Sequence, residues 1–239
     1  MSQEKSATRE LNLFQRIAGV FSSPGEAFED ILRKPSWLIP FLIAVVFIIF
    51  MQLMVADIHM KDQIARMRAM DVPAAQIEAV QHQMSGPMRY IGLIIGPVMA
   101  LIIWVIISAV VLFAGNTILG GNGKFKSVFA VVAWSSLVGN LGILVQTILV
   151  KINGTAHGVS TSLAALLPAP ALGEPLPLLF RVLSQFDIFF IWQLFLWVIG
   201  FSIVFSFSNK KSAGLVISVW VVWIVISVVV GGLFSGMGA

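Results

Sequence analysis

Apolar residues fall into five long runs, near 38–56, 88–114, 126–150, 188–208 and 213–234, separated by short polar stretches. Each run holds nineteen or more residues, and nineteen helical residues at about 1.5 Å each cover roughly 28 Å, the hydrocarbon thickness of a bilayer. The pattern predicts an all-α, polytopic membrane protein with five transmembrane helices. The first run begins only at Leu38, behind a charged leader, and no small-x-small cleavage pattern follows it. It is therefore expected to stay in the chain as the first transmembrane helix.

Helical spacing continues outside the runs. In the leader, 1–37, Leu11, Phe14, Ile17, Ala18 and Phe21 share one helical face, which predicts a short amphipathic helix lying in the headgroup region. Ser23-Pro24-Gly25-Glu26 then combines an N-cap residue, a proline at the first helical position and a capping-box acid, announcing a second short interfacial helix. Lys34-Pro35 ends it, and Trp37 stands where an interfacial aromatic belongs. Phe14, Phe21, Phe28 and Trp37 are the expected membrane anchors of this leader.

Within the five-helix domain, 38–234, the first connection (57–87) reads as an external hairpin of two amphipathic helices, 57–70 and 73–84, broken at Asp71-Val72-Pro73. The third connection, 151–186, carries Pro168, Pro170, Pro175 and Pro177 in an otherwise apolar stretch, so it cannot span as a regular helix. It is either an irregular external segment or a re-entrant, pocket-lining loop. Residues 235–239 form a short tail.

Composition narrows the class. Of the 239 residues 58% are hydrophobic and only 11% charged, with a mean hydropathy of +0.96, whereas a soluble domain carries about a quarter charged residues. The net charge is +4, but the lysines and arginines sit at span ends without forming a basic stripe, which argues against nucleic acid. They report orientation instead. Nine (Lys5, Arg9, Arg16, Arg33, Lys34, Lys124, Lys126, Lys210 and Lys211) fall on one side, and six (Lys61, Arg66, Arg68, Arg89, Lys151 and Arg181) on the other. Both short loops belong to the richer side, so the N-terminus is expected in the cytoplasm and the C-terminus outside. Cysteine is absent, which removes disulfides and thiolate chemistry.

Candidate chemistry is sparse. Asp187 lies at the mouth of the fourth run, the only acid beside a helical core. It is either an N-cap favoured by the helix dipole, or an intramembrane acid used in transport. His59, His82 and His157 accompany a methionine-rich stretch, yet no ligand spacing marks a metal site. Gly92 with Gly96, and Gly232 with Gly236, are small-residue pairs suited to helix packing, and Gln146, Asn140 and Gln193 are suited to interhelical hydrogen bonds. Pro97 is placed to kink the second span. Asn153-Gly154-Thr155 matches a glycosylation acceptor, which has no meaning if the chain is bacterial. No phosphate-binding glycine loop, His-Glu-x-x-His or Gly-x-Ser-x-Gly occurs, nor any pair of carboxylates inside the runs. No catalytic residue, cofactor, metal or small-molecule ligand is therefore expected.

The order of local motifs resembles a known family. Phe14-Gln15-Arg16-Ile17-Ala18-Gly19-Val20-Phe21-Ser22-Ser23-Pro24-Gly25-Glu26-Ala27-Phe28 precedes Lys34-Pro35-Ser36-Trp37. Leu119-Gly120-Gly121-Asn122-Gly123-Lys124-Phe125-Lys126 follows, then 131–136 and Asp187-Ile188-Phe189-Phe190-Ile191-Trp192. Over roughly 14–234 the chain resembles bacterial Yip1-domain proteins. The resemblance implies a five-helix integral membrane domain with a cytoplasmic N-terminus. Eukaryotic relatives act with prenylated small GTPases in vesicle traffic, but their Asp-Leu-Tyr-Gly-Pro stretch has no counterpart here. The expectation is a non-enzymatic interaction or scaffold protein of the bacterial inner membrane, in contact with lipid and with other membrane proteins or further copies of itself. The alternative is a transporter or channel component using Asp187 and the proline-rich connection. A polar cavity at membrane depth would favour the second, and tight packing the first.

Overall fold

The computed structural model describes residues 10–86 and 90–235, with residues 85 and 231–235 described by their backbone alone. Among these residues nine α-helices occur: α1 (Leu13–Ser22), α2 (Pro24–Arg33), α3 (Leu38–Ala69), α4 (Ala74–Ser85), α5 (Ile91–Phe113), α6 (Phe125–Asn153), α7 (Leu178–Leu183), α8 (Ile188–Phe205) and α9 (Asn209–Ser235). Five of them, α3, α5, α6, α8 and α9, are long and apolar enough to cross a membrane. The protein is an all-α, multi-pass membrane protein.

α6 is the hub. Residues 128–138 are buried without a break, because α3, α5 and α8 pack along it while α1 and α2 close the remaining side. Close approach depends on small residues: a Cβ added at Gly200 of α8 would stand 2.4 Å from a methyl of Val131. Gly142 of α6 likewise faces Phe189 of α8.

The leader is part of this core. α1 begins with a capping box in which Asn12 Oδ1 accepts the Gln15 N–H at 2.9 Å and Gln15 Oε1 accepts the Asn12 N–H at 3.0 Å. Ser23 stands at the N-cap position of α2, but its side chain makes no capping hydrogen bond, and Pro24 supplies the start. The two helices fold back on each other so closely that a Cβ at Gly19 would meet Ala27 at 3.0 Å. Arg16 Nε donates to Asp30 at 2.7 Å, and the Leu11 N–H donates to the same carboxylate at 3.2 Å. Val20, Ala27, Phe28 and Ile31 are buried in one cluster with Trp134, Leu196 and Phe201. Of the expected anchors Phe28 is thereby corrected, since it is buried against the bundle, while Phe14 stays exposed.

In the first connection two helices meet at a break at Asp71-Val72-Pro73, but the first of them is not separate from the span before it. α3 runs unbroken for 32 residues, roughly 48 Å, so its charged end is a continuation of the first span. The reason is local: no glycine or proline lies between Pro40 and Pro73. The chain turns at Asp71, which takes φ 53°, and α4 returns against α3.

At the end where α5 stops and α6 starts, the chain forms a π-helical turn, Ala114–Ile118, and then a glycine loop. Asn116 bridges that loop, its Nδ2 donating to the Gly123 carbonyl at 3.0 Å and its Oδ1 accepting the Gly123 N–H at 2.8 Å. The ring of Phe205 fills the space in which Cβ atoms at Gly115 and Gly123 would stand, 2.5 Å away in each case. The glycines of Leu119–Lys126 thus seat the end of α8.

Candidate functional site

At the other end of the bundle α3, α6 and α8 separate, and the third connection lies over the gap. Its start is tied to the projecting end of α3: Asp62 accepts the Thr155 hydroxyl at 2.8 Å and the Ala156 N–H at 2.6 Å. Gln146 of α6 then donates to the Val159 carbonyl at 2.9 Å. Ser162 and Asp187 form an isolated antiparallel bridge, in which the Leu163 N–H donates to the Phe186 carbonyl at 3.1 Å. A 3-10 turn, Leu163–Leu166, and α7 complete the segment. Ser160, Thr161 and Ser162 of this irregular segment line a cavity.

Asp187 sits at that junction. One carboxylate oxygen accepts the Phe189 and Phe190 N–H groups at 2.9 and 3.0 Å, capping α8 where orphan amides and the dipole favour an acid. The other accepts the hydroxyl of Thr161. The carboxylate thereby joins the fourth span to the connection preceding it.

Beside it lies a cavity of about 470 Å³. Gln52 and His59 of α3, Gln146 and Thr147 of α6, Gln193 of α8 and Thr161 from the connection contribute polar groups, among apolar walls such as Met51, Ile143 and Phe190. Sequence reasoning singled out Asp187, Gln146 and Gln193 but missed Gln52 and Thr161. Gln52 carries a readable signal, an amide within an apolar run; Thr161 carries none, because the loop path alone brings it there. Ser160, Ser162, Ser184 and Asp187 line it as well, and the cavity can hold a polar or amphipathic group by hydrogen bonds.

The remaining candidates lie apart. Gly96 faces α3, with Gln52 Nε2 3.4 Å from where its Cβ would be, whereas a Cβ at Gly92 would meet no other element within 4 Å among the described residues. Gly232 belongs to α9, and Gly236 falls outside the described residues. Asn140 is buried on α6, and its amide nitrogen has no partner among the described residues. Pro97 lies buried within α5. No group of three or more His, Asp or Glu that could hold a metal occurs among the described residues; His59 faces the cavity and His157 a separate hollow under the third connection.

The four aromatic anchors divide. Phe14 is 78% exposed, Phe21 packs edge-on against Trp192 at 5.8 Å, and Trp37 packs on Phe129 at 5.4 Å. Phe28 is fully buried against the bundle, so it is a core residue and has no lipid to anchor in.

Comparison with known proteins matches these observations. The model of the Yip1 domain matches residues 18–231. The chain is also 29% identical over 237 residues, 97% of its own length and 93% of the relative's, to "Membrane protein YknW" of Bacillus subtilis (strain 168). No solved structure matches it.

Proposed function

This chain belongs to the Yip1 domain family, and on that premise we propose that it is a non-enzymatic interaction or scaffold protein of the bacterial inner membrane, N-terminus in the cytoplasm and C-terminus outside. One observation carries the reading: each stretch that resembles the family is used in packing. The Phe14–Phe28 stretch makes the leader hairpin, Ser36 accepts the Trp134 Nε1–H at 2.8 Å, the glycine loop seats Phe205, and Asp187 caps α8. A reaction or transport cycle needs polar groups held for a substrate, whereas the Asp187 carboxylate and the Ser36 carbonyl are engaged in capping and packing. Its partners are lipid and other membrane proteins or further copies of the chain, with Phe14 projecting from the leader toward the membrane surface.

The transport reading has one observation in its favour, the cavity with three glutamines. A strain lacking its chromosomal copy separates the two. Gly139 lines that cavity, so Gly139→Leu fills it; Asp187→Asn removes the charge. Under the scaffold reading both variants rescue the deletion strain and migrate in native membranes as the same large complex as wild type. If either is folded and inserted yet behaves as the deletion, transport replaces the scaffold. Single cysteines at Ser127 and Ser235, clean in a chain without cysteine, test orientation: Ser127→Cys should resist an impermeant maleimide and Ser235→Cys should react.

A further inference from the structure

At the end opposite the cavity, α5 and α9 diverge and leave an apolar groove of about 590 Å³ between them. Phe113 and Ile118 form one wall, Leu215, Val219 and Val222 the other, and Gly214 leaves the floor open. Phe113, Ile118 and Val222 are 61%, 69% and 57% exposed, so none of the described residues covers this surface. Lys211 stands at its mouth. Its ammonium donates to the Leu119 carbonyl at 2.7 Å and lies 4.2 Å from the Phe207 ring centroid, which fixes it in place with two of its three donors still available.

Charge selects the occupant. Lys124 just before α6, Lys126 in its first turn, and Lys210 and Lys211 in the first turn of α9 are exposed at this end, and no Asp or Glu occurs in 79–173 or after 187. The carboxylates of this end belong to the leader, where Asp30 is paired with Arg16 and Glu10 with Lys34 and Glu26 and Glu29 are exposed on α2. The start of α9, a 27-residue helix, adds the positive end of its dipole at the same point. A partner helix filling the groove would have to strip water from the lysines without replacing it. A lipid supplies an apolar chain and an anion in one molecule.

We propose that the α5–α9 groove is a binding site for an anionic phospholipid, its acyl chain lying along Leu215, Val219 and Val222 and its phosphate held by Lys210 and Lys211. The site is independent of the scaffold reading, since it involves neither Asp187 nor the cavity. It fixes one lipid at the end where the charge count places the cytoplasmic leaflet.

Native mass spectrometry of the full chain released from mixed micelles tests it, with phosphatidylglycerol and phosphatidylcholine of identical acyl chains as probes. Wild type should retain phosphatidylglycerol in preference, by about fivefold for each lysine, since a lysine near an anionic surface contributes about 1 kcal/mol. Lys210→Gln with Lys211→Gln should bring the ratio close to one without loss of fold, both side chains being exposed. Gly214→Leu should lower retention of both lipids, because a Cβ there meets nothing within 4 Å and the longer side chain fills the groove. Glycerol phosphate, which has the anion and no acyl chain, should fail to compete. A preference that survives the lysine double variant, retention unaffected by Gly214→Leu, or competition by glycerol phosphate overturns the site.

Discussion

α6 and α9 are both apolar helices of membrane-spanning length, and they stand in opposite surroundings. In α6 67% of the spanning stretch is buried inside the protein, in α9 11%. The more apolar of the two is the one left outside. In water the order would be reversed. In a bilayer lipid tails are as apolar as leucine, so a helix gains nothing by hiding valine; it is drawn inside by close backbone approach and by interhelical hydrogen bonds. α6 carries small residues for close approach: Ser135, Ser136, Gly139 and Gly142. α9 turns Ile217, Val221, Val222, Val225, Ile226 and Val229 outward.

The most direct way to break this contrast uses one residue type in both helices. Trp134 of α6 is fully buried, and Trp223 of α9 is 50% exposed. Trp134→Ala should destabilise the protein by about 3–5 kcal/mol, the range for emptying a large aromatic site, with the lost bond to Ser36 included. Trp223→Ala should change stability by under about 0.5 kcal/mol, as surface substitutions do. Thermal unfolding in a mild detergent reads both. Equal losses would mean that α9 is covered by something outside this chain.

The same contrast explains what the sequence did and did not disclose. Run length alone indicates the five spans, since only bilayer thickness demands nineteen apolar residues in a row. Which span is central is invisible to hydropathy, and only the small and polar residues of α6 hint at it. The amphipathic stripe of the leader was legible, but a stripe reports that one face is apolar without telling lipid from protein. Hence Phe28 was expected at the membrane surface and stands in the core. The end of the first span was drawn where charge begins, at Asp57, although charge does not stop a helix and the first breaker comes only at Pro73. The acid at a helix start marks Asp187 as a cap, while Thr161 reaches it from 26 residues away along an irregular path that no periodicity encodes.

The leader gives a second, smaller version of the comparison within a single hairpin. Phe28→Ala empties a buried site and should cost about 3 kcal/mol, at the low end for phenylalanine because one side of the hairpin can follow the loss. Phe14→Ala, at an exposed position, should leave stability within about 0.5 kcal/mol. Spin labels on α1 should gain mobility in the first variant alone. Equal mobility in both would mean that the hairpin does not depend on its contact with α8.

At the start of α8 the expected effects shrink again. Asp187→Leu leaves the Phe189 and Phe190 amides and the Thr161 hydroxyl without their acceptor and should cost about 1–2 kcal/mol. Asp187→Asn keeps an acceptor of nearly the same shape, and the threonine hydroxyl can turn to accept from its amide, so the cost should be of order 0.5 kcal/mol or less. The difference between the two variants, measured in the same unfolding experiment, separates capping from charge. An Asn variant as unstable as the Leu variant would show that the carboxylate's charge is needed for the fold.

The smallest effect belongs to the outermost contact of the leader. Lys34 Nζ donates to Glu10 at 2.8 Å, and this hydrogen bond, followed by the lysine's charge, holds the Glu10 carboxyl below the usual glutamate range. A carboxyl whose pKa is lower in the folded state than in the unfolded chain stabilises the fold above its unfolded pKa, and that contribution disappears as pH falls through the folded value. The window is therefore acidic, below the ordinary glutamate range, and nothing should change between neutral and mildly acidic pH. Both side chains are largely exposed, so water and salt screen the pair and its effect should be confined to the first turn of the leader. A spin label at Leu13 should loosen on acidification through that window, less so in high salt, while Glu10→Gln should be loose at every pH. The core contacts of Phe28 and Trp134 involve no titrating group and should not follow. Loosening that begins near neutrality, or that persists unaltered in Glu10→Gln, would assign the leader's acid sensitivity to a different carboxylate.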